Sequence, residues 1–259
     1  MSLKVVVLVK QVPDLEALVR VASEQELEIE DRYVCSFFDD VALEAALDVE
    51  QAHPDTELAA LAAGGKRAVD ALRRAVAMGV DAIEQIESAD LESADSYLVS
   101  AALAARLRQL EPSLVLCGKQ AGDDDQGAVG PMVAEMLGAP HVSAAVSLEV
   151  DPAAGKATVG RKVEGAIWTV ESPLPLVVTA EKGLAEPHVP VVTRVMKAMR
   201  AKPNVTALGD LGIEVGPAGR VKRLRYVEPP KRPAVTVLDQ PFPENVAELV
   251  KRLQQAGVL

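Results

Sequence analysis

The sequence predicts an α/β fold: a doubly wound, mainly parallel sheet with an antiparallel extension and an extended C-terminal arm. Three observations carry that expectation. Short apolar runs recur at 5–9, 57–63, 82–86 and 114–117, as strands buried on both faces require. The segments after them place apolar residues three and four apart, the period of a helix packed by one face. After Pro140 this period gives way to short strand-like runs separated by turns. Strand and helix repeating with short joints specify a parallel sheet with right-handed crossovers. Such sheets bind ligands beyond the strand C-termini, where strand order reverses.

Each element has a local reason. Val5-Val6-Val7-Leu8-Val9 suits a central strand, and Lys10-Gln11-Val12-Pro13-Asp14 breaks it. The stretch from Glu24 to Asp31 is acidic and irregular. Ser36-Phe37-Phe38-Asp39-Asp40 opens a helix carrying Val41, Leu43, Ala45, Ala46 and Val49. Ser36 or Asp39 is its expected N-cap, and acid in the first turn suits the helix dipole. His53-Pro54-Asp55 ends it. The second strand closes on Gly64-Gly65, and a helix from Arg67 to Met78 stops at Gly79. A third strand at 82–86, a helix from Asp95 to Leu110 and a fourth strand at 114–117 follow. A glycine-bearing loop then leads into a helix with Val129, Met132, Val133, Met136 and Leu137 on one face.

The runs 142–150, 157–163, 167–170 and 176–179 predict the antiparallel extension. From Glu181 the periodicity is lost. Two basic clusters appear there: Lys197, Arg200 and Lys202, then Arg220, Lys222, Arg223, Arg225, Lys231 and Arg232. A last strand is expected at 234–238 and a last amphipathic helix from Glu244 to Gln255. The segment 181–235 is too long and irregular for a connector inside a compact domain. Residues 1–180 therefore read as one α/β domain, and 181–259 as a docking loop and arm that pack on another chain.

Composition excludes several functions. The net charge is −11, with 27 Lys and Arg against 38 Asp and Glu. That is no basic footprint for nucleic acid or an anionic membrane. Cys35 and Cys117 give no CxxC, no metal spacing and no disulfide framework. His53, His141 and His188 are too scattered for a His-based metal site. After Met1-Ser2-Leu3-Lys4 the apolar run is too short to span a bilayer and shows no cleavage pattern, so a cytoplasmic location is expected. No GxSxG motif and no Cys–His pairing is evident, so no catalytic nucleophile is assigned.

The stretch richest in possible chemistry is Gly118, Lys119, Gln120, Ala121, Gly122, Asp123, Asp124, Asp125, Gln126, Gly127, Ala128 and Val129. Strand, loop and helix N-terminus together present backbone N–H groups to an anion such as phosphate. No Gly-Lys-Ser/Thr follows at Walker spacing. The plainer reading is a strand–helix joint capped by the aspartates. Three carboxylates also repel phosphate. Phosphate contact is therefore expected at the N–H groups of Gln126 to Val129, with the aspartates upstream shaping the loop. A rival reading makes them a Mg²⁺ site in a stand-alone adenine-nucleotide hydrolase or sensor. Ala63-Gly64-Gly65-Lys66 suits close approach of a ribose or adenine, or simply a tight turn. Phe37-Phe38 suits ring stacking or a hydrophobic staple.

These segments together resemble the β subunit of electron transfer flavoproteins over nearly the whole chain. The likeness runs through Val9-Lys10-Gln11-Val12-Pro13-Asp14, Ser36-Phe37-Phe38-Asp39, and Ala75-Val76-Ala77-Met78-Gly79-Val80-Asp81. Its most specific part is Gly118 to Asp125. It continues through Val159-Gly160-Arg161-Lys162-Val163-Glu164-Gly165, Leu176 to Ala180, Glu186-Pro187 and Val195-Met196-Lys197-Ala198. The resemblance implies an adenine-nucleotide α-hydrolase-like fold and a non-catalytic half of a heterodimer. An α subunit would carry the redox-active FAD, and this chain AMP. Electrons would arrive from acyl-CoA or related dehydrogenases and leave to a membrane quinone oxidoreductase. Family AMP contacts map to Leu8, Ser36, Phe37, Phe38, Asp39, Ala63 and the loop Gly118 to Val129. The partner-docking loop maps to Glu186 to Met196, with Val192 and Met196 in it, and Phe38 maps to a residue near the flavin. The chain departs from the pattern at Ser36 to Asp39, where the family often has Asn-Pro-Phe-Cys. It departs at Leu15, where a tyrosine is usual, and at Gly127-Ala128-Val129, which replaces Asn-Gln-Thr and removes side-chain donors. Val129-Gly130-Pro131 is closer to a flavin-bifurcating branch that holds a second FAD in the same crevice.

Overall fold

A computed structural model describes residues 3–213, 220–221, 223–232 and 234–259. Met1, Ser2 and Lys222, on which parts of the sequence reading fall, lie outside the described residues. The chain runs β1 (Lys4–Leu8), β2 (Gln11–Pro13), β3 (Val19–Ser23), β4 (Glu26–Ile29), β5 (Tyr33–Cys35), α1 (Phe37–Ala52) and β6 (Glu57–Gly64). It continues α2 (Val69–Met78), β7 (Ala82–Glu87), α3 (Ser96–Leu110), β8 (Leu114–Gly118) and α4 (Val129–Leu137). It ends β9 (His141–Asp151), β10 (Lys156–Val163), β11 (Ala166–Pro173), β12 (Leu176–Ala180), α5 (Val192–Arg200), β13 (Asn204–Ala207) and α6 (Glu244–Gln255). Short 3-10 turns precede α2 and α3 and follow β13.

One 9-stranded sheet has the order β11-β10-β9-β12-β8-β1-β6-β7-β13. Neighbours from β9 to β13 in that order are parallel, while β9-β10-β11 form an antiparallel meander. The strand β1 shows why its sequence does not alternate. Val5, Val7 and Val9 pack with α1 and α2 on one face. Val6 and Leu8 pack with α3 and α4 on the other. Both faces are covered, so positions 5 to 9 are all apolar. Far along the meander, the His53 ring lies 3.1 Å from the Val150 carbonyl, which seats the outer half of β9 against the C-terminal end of α1.

Four expectations change. The sequence groups residues 176–179 with the antiparallel extension, yet β12 lies between β8 and β9 and is parallel to both. Its five residues are all buried, the mark of an interior parallel strand. The segment past Glu181 is not aperiodic throughout. It forms α5, whose Ala198 is buried, and β13, which adds to β7 at the sheet edge. The irregular stretch after β1 is two small antiparallel ribbons, β2 with β5 and β3 with β4. No strand forms at 234–238, where Val235 and Val237 stay 88% and 76% exposed. β-prone residues need a neighbouring strand to complete their hydrogen bonds, and none lies beside them among the described residues.

The start of α4 is held tightly against the sheet. A Cβ on Gly130 would fall 2.5 Å from Thr179 Cγ2 and 3.0 Å from Cys117 Sγ. Gly130→Ala should therefore destabilise the chain by about 1–3 kcal/mol through overpacking, read as a lower urea midpoint with an unchanged slope.

Candidate functional site

The chain reaches β8 only after laying β6 and β7 on the other side of β1, so strand order reverses between β1 and β8. The N-terminus of α1 sits over this point. Asp39, in its first turn, accepts the Lys10 N–H on Oδ2 at 2.8 Å and the Gly118 N–H on Oδ1 at 2.9 Å. One carboxylate thus joins the ends of both strands to one helix. The approach is close: a Cβ on Gly118 would lie 2.7 Å from Phe38 Cβ and 3.0 Å from the Phe38 carbonyl carbon. Only glycine admits it. Burial drives the Asp39 carboxyl from its ordinary 3.8 up to about 7, against the opposing pull of the two N–H donors.

Ser36 is the N-cap residue of α1, but its side chain caps nothing. Its N–H donates to the Lys10 carbonyl at 3.0 Å, and its own carbonyl accepts from Asp39 and Asp40. The fully buried Ser36 Oγ has no hydrogen-bond partner among the described residues. Leu8 is buried at the end of β1, and Ala63 is half-buried near the end of β6. Beside the glycine turn after β6 lies a cavity of about 340 Å³, walled by Gly65, Lys66, Arg67, Glu87, Ala89 and Glu92.

The central loop turns its acids onto protein donors. Lys10 Nζ lies 2.7 Å from Asp123 Oδ1 and 3.1 Å from Asp124 Oδ2. Burial works against the Lys10 ammonium, but the two aspartates outweigh it and hold its pKa above the ordinary value. Asp124 also accepts the Gln126 N–H at 3.1 Å. The Gln120 amide donates to Asp125 at 2.7 Å, and the Asp125 N–H donates to the Ala121 carbonyl at 3.0 Å. Leu15 is the side chain nearest Gly122. Lys119 pairs with Glu181 at 2.7 Å, and its ammonium sits 4.9 Å from the centre of the Phe38 ring. Phe37, half exposed, meets Phe38 edge to face.

The loop ends with Ser96 Oγ donating to Gln126 Oε1 at 2.7 Å, which ties it to the start of α3. Gly127 has φ +59, and Ala128 offers α4 no side-chain cap. A helix's first N–H groups lack partners inside the helix. Here those of Val129 and Gly130 come first, Pro131 has none, and Met132 already donates to the Ala128 carbonyl. The helix thus opens on uncapped N–H groups with its nearest acids already engaged. Those donors fit a phosphate oxygen.

The structure brings together Leu8, Ser36 to Asp39, Ala63 and the loop Gly118 to Val129 around the C-terminal ends of β1, β6 and β8. It does not bring Val192 and Met196 there. They lie 74% and 57% exposed on α5, whose Arg194 and Lys197 meet Asp81 in the turn before β7. That turn is at the strand N-termini, the opposite end of the sheet. Sequence reasoning left Lys10, Ser96 and Glu181 without roles. A run of three consecutive acids calls for a cation nearby, and the lysine that follows the first strand is that cation.

An electron transfer flavoprotein domain model matches residues 28–210. Several curated relatives cover nearly the whole chain. The electron transfer flavoprotein subunit beta of Syntrophomonas wolfei is 32% identical over 244 residues, 93% of this chain and 92% of that protein. That of Bacillus subtilis is 33% identical, covering 86% of each chain. That of Mus musculus is 31% identical, covering 99% of this chain and 98% of its own.

The Asp39 clamp has a pH signature. A carboxyl raised to about 7 contributes stability that is complete below its ordinary pKa and lost as the pH rises through the folded value. The chain should lose stability from about pH 4 to about pH 7 in denaturant titrations and level off above that, and Asp39→Asn should remove that part of the slope. The variant should also be less stable by about 1–3 kcal/mol near pH 6, because its amide NH₂ leaves one backbone N–H unpaired. Carbon-13 NMR of the Asp39 carboxyl checks the midpoint directly.

Proposed function

The chain belongs to the electron transfer flavoprotein family, among its β subunits, and on that premise we propose that it is one half of a cytoplasmic heterodimer. Its α partner carries the FAD, which supplies the electron-accepting and electron-donating chemistry. The complex collects electrons from flavin dehydrogenases such as the acyl-CoA dehydrogenases and passes them toward a membrane quinone oxidoreductase. This chain is not itself the catalyst. It binds AMP as a structural ligand, fixes the α subunit's FAD domain, and presents a docking surface.

The observation that carries the nucleotide reading is the uncapped start of α4 at the point of strand reversal, beside a loop whose acids are engaged by Lys10 and Gln120. The Gln126 N–H, expected among the phosphate donors, is taken by Asp124, so the N–H groups of Gly127, Ala128, Val129 and Gly130 would hold the phosphate. Leu8, Ala63 and Ser36 would line the nucleoside side of the crevice. Phe38, next to Lys119, would meet the edge of the partner's flavin. Residues 181–259 act as the docking loop and the arm that packs on the α subunit. The exposure of Val235, Val237 and Phe242 and the absence of any buried residue in α6 support that role. No helix among the described residues is long and apolar enough to cross a membrane.

The test is co-expression with the neighbouring α gene, followed by mass spectrometry of the nucleotides released from the purified complex. One FAD and one AMP per heterodimer is the expected result. Two FAD would place the chain in the bifurcating branch. A homodimer that turns over ATP would replace the reading with a hydrolase.

A variant pair assigns the roles within the loop. Gly127→Val forces a β-branched residue to φ +59 with its Cβ 3.2 Å from the Lys119 carbonyl. It should strip AMP from the complex and leave the FAD content unchanged. Asp124→Asn should retain AMP, since Asp123 still engages Lys10.

A further inference from the structure

Two segments of the chain that the nucleotide site leaves unused meet at one carboxylate. Asp81 closes the segment Ala75 to Asp81, and Lys197 belongs to the segment Val195 to Ala198. Asp81 Oδ1 lies 2.8 Å from Arg194 Nη1 and 2.6 Å from Lys197 Nζ. Arg194 and Lys197 are one turn apart on α5, so one acid grips the helix at two points. Lys197, then Arg194, holds the Asp81 carboxyl below the ordinary carboxylate range despite partial desolvation.

The grip matters because α5 gives the core little of its own surface, although it lies along α2 and β13 follows it onto the sheet edge. Of its nine residues only Ala198 is buried, against the face that α2 helps to build. Val192, Val195, Met196 and Met199 stay exposed at spacings of three and four, one continuous stripe. The segment before α5 is tied in the same manner. Glu44, on α1, accepts the His188 N–H at 3.2 Å and sits 2.6 Å from the His188 ring nitrogen Nδ1. Between the two ties the chain runs through Val189 and Val191, both exposed. The apolar stripe is thus held out at both ends by carboxylates of the α/β domain.

We infer that Asp81 and Glu44 are positioning residues for electron-donor docking: by gripping α5 and the segment before it, they pre-form the apolar surface that a partner dehydrogenase binds. The inference rests on the docking role proposed above for residues 186–196. A surface that is already ordered loses less conformational freedom on binding than one that must be ordered by the partner. An exposed ion pair adds little to global stability. Removing Asp81 should therefore leave the domain folded and the crevice intact, at the far end of the sheet. It should loosen a helix that is otherwise held through Ala198 and, further on, through β13 at the sheet edge.

The experiment uses the full α–β complex carrying Asp81→Ala, Asp81→Glu or Glu44→Ala. Hydrogen exchange by mass spectrometry reads order along residues 186–200. Steady-state reduction by an acyl-CoA dehydrogenase from the same genome reads docking. Asp81→Ala should speed exchange within α5 and raise the KM for the complex about three- to tenfold, with kcat, flavin content and AMP content unchanged. Asp81→Glu, which restores the carboxylate, should recover most of both effects. Glu44→Ala should loosen residues 186–191 and raise KM in the same direction. Unchanged exchange in Asp81→Ala would show that the carboxylate does not hold the helix and would overturn the inference. So would faster exchange with an unchanged KM. A wild-type complex that takes no electrons from the dehydrogenase would instead bring down the docking reading itself, and this inference with it.

Discussion

The structure depends on the Asp39 carboxylate more than on any other single polar group. Two parallel strands that meet where strand order reverses leave N–H groups at their C-terminal ends with no strand beyond to receive them. Lys10 and Gly118 carry those groups here, and both donate to Asp39. The bond geometry fixes α1 over the gap, and the gap becomes a crevice. Gly118 follows as a necessity, since any side chain there would collide with the backbone of α1. The clamp is electrostatically costly because the carboxyl is almost fully buried. Its raised pKa expresses the desolvation that two N–H bonds only partly offset.

The same crevice resolves a conflict of charge. Three consecutive aspartates left unpaired would cancel the attraction of the helix start for an anion. Lys10, one residue beyond β1, shares its ammonium between Asp123 and Asp124, and Gln120 covers Asp125. Lys10 thus works from both ends: its N–H enters the Asp39 clamp and its side chain closes the acidic loop. Lys119 is directed onto Glu181 and the Phe38 ring. The loop is held in shape by its own charges, and the helix donors are left to a ligand.

Much of this was legible in the sequence, and for physical reasons. Strands buried on both faces read as unbroken apolar runs, so β1, β6, β7 and β8 could be placed closely. Gly79 and Asp95 marked helix ends because a positive φ and a side-chain cap leave a residue signature. The misplacement of β12 has an equally plain cause. Strand direction is set by the neighbours a strand inserts between, and a five-residue run carries no record of them. The small ribbons at 11–35 were hidden because they are short and bury little, although Val19-Arg20-Val21 and Glu26-Leu27-Glu28-Ile29 do alternate. In the crevice, glycines and loop acids announced themselves by composition. The partners Lys10, Glu181 and Ser96 did not, being 113, 62 and 30 residues from the groups they engage.

The exposed apolar surface falls into two parts that are built differently, and the difference bears on how each would be used. Residues 234–259 have almost no support from the rest of the chain. α6 buries nothing, and the β-prone run before it finds no strand to join. On the reading proposed above such a segment packs on another chain, and a permanent partner requires any ordering cost to be met once per molecule. The stripe on α5 is the reverse case. It is short and apolar, yet gripped by Asp81 and preceded by the Glu44 contact. A surface used in repeated brief encounters would incur the ordering cost at each one, so pre-forming it lowers the cost of every cycle. On the reading proposed here the arm is the lasting interface and α5 the transient one. The distribution of support along the chain, and not the amount of apolar surface, is what separates them.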